Sequence, residues 1–143
     1  MSFALEDVRA DIFAHAQANL PQDVQRGYVP QPEDIPLVNG SFLPYVVVRF
    51  GDMAQGGGRS MIGARGDQYY MMCDFMCVGP TPTIAEQVQS KVIDVMLGYK
   101  PVNAGQLNKM PGGSSFTIID SDNKPLAFLA VASFRVSFNI VEP

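Results

Sequence analysis

Along residues 2–20, Leu5, Val8, Ile12, Ala16 and Leu20 recur at helical spacing and form one apolar stripe. Glu6 and Asp7 fall in the first turn, where the helix dipole favours acids. Pro21 biases Leu20 away from helical geometry, so a first helix is predicted to stop there. Residues 22–44 hold Pro30, Pro32, Pro36 and Pro44 and read as a long loop. Loops of this length usually serve a purpose, and draping over a neighbouring subunit is one. Tyr45-Val46-Val47-Val48-Arg49-Phe50 has the β-branched and aromatic content of a strand. A stretch containing Gly56, Gly57 and Gly58 follows, and residues 68–78 form a second strand. The two are predicted to pair antiparallel as a hairpin, with a long tip bearing Arg59 and Arg65.

In that second strand, Tyr69, Met71, Cys73, Phe75 and Cys77 alternate with Tyr70, Met72, Asp74, Met76 and Val78. Both faces are largely apolar, as in a strand that is central in a two-sided core or covered by another chain. Two helices can cover one face from within, so the other is expected to meet a partner at least in part. Thr83-Ile84-Ala85-Glu86 has capping-box form and opens a second helix. Its stripe is Ile84, Val88, Val92, Val95 and Met96. Gly98 suits its end and Pro101 bars continuation. After a loop over 100–113, a third strand covers 115–120, a turn 121–124, and a long strand 126–141. In the last, Phe134, Val136, Phe138 and Ile140 alternate with Ser133, Arg135, Ser137 and Asn139. The predicted class is α+β. It is a single domain over 1–143, mainly an antiparallel sheet of about four strands with two helices on one face, in the order α-β-β-α-β-β.

Composition sharpens this picture. Only 17% of the 143 residues are charged against 47% hydrophobic, where soluble chains carry about 25% charged. The shortage of charge favours an interface over part of the surface. A net charge of −4 leaves no basic stripe for gripping phosphates. No apolar run approaches the roughly 20 residues of a membrane span, and no signal-peptide pattern opens the chain, so cytoplasmic synthesis is expected.

Candidate chemistry is sparse. Cys73 and Cys77 sit four apart in a strand, about 13 Å, beyond disulfide reach, and are expected to be free buried thiols. The sole histidine, His15, lies beside the helical stripe as a surface or half-buried residue, and no metal set can be assembled around it. Gly56-Gly57-Gly58-Arg59-Ser60 lacks the lysine and following helix of a phosphate loop. Asp120-Ser121-Asp122-Asn123 lacks the Gly and Glu of a calcium loop and suits a turn. No serine sits in a nucleophile elbow. No catalytic, cofactor or metal site is expected, and Met72 and Met76 are the best contact candidates.

Several segments resemble, in order and spacing, the tail terminator family of long-tailed (siphovirus) bacteriophages, particularly forms from phages of actinobacteria. They are Arg26-Gly27-Tyr28-Val29-Pro30, Leu43-Pro44-Tyr45-Val46-Val47-Val48-Arg49-Phe50-Gly51, Cys77-Val78-Gly79 and Met96-Leu97-Gly98-Tyr99-Lys100-Pro101. The resemblance implies a hexameric ring that caps the last ring of tail-tube protein. Such a ring stops tube growth and presents a surface to the head-tail connector or stopper. It implies a virion location at the neck end of the tail, after assembly in the host cytoplasm. DNA would pass the lumen without specific binding, which a net acidic protein suits. On this reading Gly56, Gly57, Gly58, Arg59 and Arg65 are candidates for axial contact with the tube. Tyr28, Leu37, Phe42, Met72, Asp74 and Met76 are candidates for contact between subunits. The alternatives are another neck component, a connector or stopper, or a small-ligand-binding α+β domain.

Overall fold

The structure is a computed structural model that describes residues 5–27, 37–38, 41–55, 67–102, 104–110, 117–118 and 127–140. Helix α1 spans Leu5–Asn19 and α2 spans Pro82–Met96. The strands are β1 (Asp23–Arg26), β2 (Leu37–Val38), β3 (Ser41–Phe42), β4 (Tyr45–Phe50), β5 (Ala54–Gln55), β6 (Asp67–Gly79), β7 (Asn108–Lys109), β8 (Thr117–Ile118) and β9 (Phe128–Ile140). The fold is α+β with a mixed sheet. Its main path runs β1-β4-β6-β9-β7, with β5 added on β6 and β8 on β9. β2 and β3 form a separate two-stranded sheet.

The antiparallel centre is β4, β6 and β9. β6 pairs with β9 over its whole length, from Asp67 opposite Ile140 to Gly79 opposite Phe128. The expectation of about four antiparallel strands is corrected at both edges. Asp23–Arg26, expected as loop, is an edge strand that runs parallel to β4, with Val24 opposite Val46. Asn108–Lys109, also expected as loop, pairs with β9. The order α-β-β-α-β-β accordingly gains short strands.

The alternation in β6 sorts its side chains as the sequence predicts. Met71, Cys73, Phe75 and Cys77 are fully buried with Phe134 and Val136 of β9 in the main core. Val8, Ile12 and Ala16 of α1, and Ala85, Val88, Val92 and Met96 of α2, complete that core. Both helices therefore bury their stripes against the same sheet face. Ile84 and Val95, predicted within the α2 stripe, are only partly buried, and Ala85 takes an inward position.

The start of α2 is corrected. Its N-cap is Thr81, whose Oγ1 accepts from the Ile84 amide at 3.2 Å, and Pro82 enters the first turn. Proline belongs there because its missing N–H would be unpaired anyway. Gly98 closes the helix at φ +81°, as expected of a residue without Cβ strain. Its amide donates to Leu107 O.

Helix α1 is tied down at several points. Arg26 grips Glu6 with two parallel bonds of 2.6 and 2.9 Å, and its guanidinium holds the Glu6 carboxyl below the usual range. His15 is half-buried, stacked on Tyr99 with ring centroids 3.7 Å apart. Its Nε2 lies 3.3 Å from Val95 O, and its Nδ1 lies 3.2 Å from Asn19 Nδ2. Tyr99 in turn donates to Asp11 at 2.8 Å, and Asp11 also accepts from the Val102 amide. His15 is thus a pin between α1 and the end of α2.

Candidate functional site

The second face of the sheet carries the contact candidates. β6 presents Tyr70, Met72, Asp74 and Met76 there, all half-buried, because its other alternate residues are committed to the core. The register sets their neighbours. Arg49 of β4 lies opposite Asp74, and Asp74 lies opposite Ser133 of β9. One step along, Met72 lies opposite Arg135, which itself lies opposite Asn108. Asp74 accepts a 2.7 Å bond from Ser133 Oγ. The Arg135 guanidinium stands 4.1 Å above the Tyr70 ring, within cation–π range. Arg49 is exposed.

Part of this face is covered from within the chain, which narrows the expectation that it is left to a partner. Tyr45, Val47 and Val78 are buried in a small second cluster, with Met76, Ala127 and Leu129 packed against it. Met76 therefore sides with the chain's own packing. Tyr70, Met72, Asp74, Arg49, Ser133 and Arg135 belong to the half-open remainder, a mixture of soft apolar surface and fixed charge.

Of the other candidates, Leu37 and Phe42 are brought together, since they lie opposite each other in the β2–β3 pair. Tyr28, Gly56, Gly57, Gly58, Arg59 and Arg65 lie outside the described residues. Arg135 and Arg49 were missed as members of the site. In the sequence Arg135 belongs only to the wet side of the last strand, and its place beside Met72 follows from the β6–β9 register.

The cysteines are free and buried. Burial pushes both thiols up, Cys77 to about 12, which leaves negligible thiolate at neutral pH. Among the described residues no three His, Cys, Asp or Glu side chains form a group that could hold a metal ion. No described helix is long and apolar enough to cross a membrane.

No family model matches this chain, and no curated protein matches its sequence. Fifteen chains of solved structures do match. One of them, which bears no functional name, aligns with a TM-score of 0.55 at 14% identity, covering 99% of each chain. That likeness concerns the fold: the whole α+β arrangement of this chain is similar to that of a solved protein of closely matching extent.

Proposed function

We propose that this chain is a tail terminator of a long-tailed bacteriophage. It assembles as a hexameric ring on the head-proximal end of the tail tube, stops tube polymerisation and offers the surface on which the head-side connector docks. The ordered resemblance of its segments to that family is the source of the reading. The structural observation that carries it is the half-open sheet face. Met72, Tyr70 and Arg135 are residue types enriched at protein interfaces, and the described part of the face holds no Lys or Glu, which are depleted there, although it does carry Asp74 and Ser133. The proposed mechanism is binding geometry, with no bond made or broken. The net charge of −4 keeps the ring from gripping the DNA that passes through it.

The proposed partners are six copies of this chain, the tail-tube protein and the connector or stopper. The glycine-rich tip, with Arg59 and Arg65, is the proposed axial contact. The reading is tested by adding the purified protein to tail-tube protein of the same phage as it polymerises, and measuring tube lengths by electron microscopy. Tubes should shorten as the protein is raised, each with extra density at one end. Tubes of unchanged length with bare ends would count against it.

A further inference from the structure

We propose that the half-open sheet face of one copy docks on the outer face of α2 of the next copy, an inference that rests on the ring reading above. The protomer is a two-layer slab. α2 packs its Ala85, Val88, Val92 and Met96 stripe on one face of the sheet. Its opposite side and the second sheet face therefore point away from each other. The outer side of α2 is a shallow groove of about 370 Å³ lined by Thr83, Glu86, Gln87, Ser90, Lys91 and Asp94, all exposed.

The charges on the two surfaces match in sign and spacing. On the sheet, Arg49 and Arg135 stand on the strands flanking β6, opposite Asp74 and Met72 respectively. Two strand spacings and two residues of rise put them about 12 Å apart on the diagonal, with Asp74 between them. On α2, Glu86 and Asp94 are eight residues apart, about 12 Å along the axis, with Lys91 between them. Around Met72 the sheet reads plus, minus, plus and the groove minus, plus, minus; Asp23, exposed on β1 opposite Tyr45, adds a second carboxylate to the sheet face beyond this patch. Pairing either patch with itself would set like charges against each other. Pairing one with the other brings opposite charges together, around a centre of Met72 and Tyr70. A contact between two different surfaces on opposite sides of a protomer is heterologous and closes into a ring when its rotation permits.

The test is native mass spectrometry and sedimentation of the wild-type chain, Arg49→Glu/Arg135→Glu, Glu86→Arg/Asp94→Arg, and an equimolar mixture of the two variants. Each reversal alone should weaken association at least roughly a hundredfold. In the mixture every contact regains opposite charges, so rings of alternating subunits should return. Wild-type rings that persist in both variants would overturn the docking and leave the ring reading standing. Loss in both variants with no recovery on mixing would also overturn it. A wild-type chain that stays monomeric at millimolar concentration would overturn the docking, while tubes that shorten and gain end density in the tube-length assay would still uphold the ring reading.

Discussion

Phe134→Ala should lower the free energy of unfolding by about 3–5 kcal/mol, the range for a large aromatic removed from a closed core. Phe134 is fully buried in the middle of β9. Its ring meets Phe75 edge-to-face, with centroids 5.5 Å apart and planes at 90°. This places the positive ring edge of one on the negative face of the other. The pair lies in the main core that both helices help to build, on the strands β6 and β9 against which α2 packs, so the cavity cannot be refilled from solvent-facing chain. Against a total stability of 5–15 kcal/mol for ordinary proteins, that loss is a large fraction. Urea denaturation checks it: the midpoint should fall while the slope with denaturant stays unchanged. A midpoint within error of the wild type would mean that the core is not organised around this ring pair.

Gly79→Val should cost about 3 kcal/mol, the upper part of the range for overpacking. Gly79 is buried at the end of β6, opposite Phe128. A Cβ built there would lie 2.9 Å from the Ala85 amide nitrogen and 3.1 Å from Ile84 Cγ2. The first of these neighbours is helix backbone, which cannot swing aside as a flexible side chain would. The new side chain would therefore lever the first turn of α2 off the sheet. Thermal unfolding should show the loss, and a variant as stable as the wild type would contradict the close approach of α2 to β6.

What the sequence disclosed, and what it withheld, follows from the range of the interactions involved. The α1 stripe and the alternation in β6 and β9 were legible because each buried side chain has its partner pattern within one element. β1 was not, since Asp23–Arg26 buries only Val24 and its reason to be a strand is parallel pairing with β4 some twenty residues on. β7 exposes both of its residues and leaves no apolar signal at all. The α2 cap was misplaced because Thr83-Ile84-Ala85-Glu86 spells a capping box, while the preference of proline for the first helical turn favoured Thr81-Pro82. That Met72 and Asp74 share the second face of β6 was legible from alternation alone. Their arginine neighbours required the strand register, a tertiary fact.

The proposed terminator reading predicts that the gene lies in the genome of a long-tailed phage, and deleting it there and imaging the particles by negative-stain electron microscopy tests that proposal most directly. Overlong tails of irregular length, separate from filled heads, are the predicted result, because tube growth would have lost its stop. Tails of normal length would contradict the account. Beside unattached heads they would assign the chain to the connector or stopper role, and on intact infectious particles they would remove it from the neck altogether.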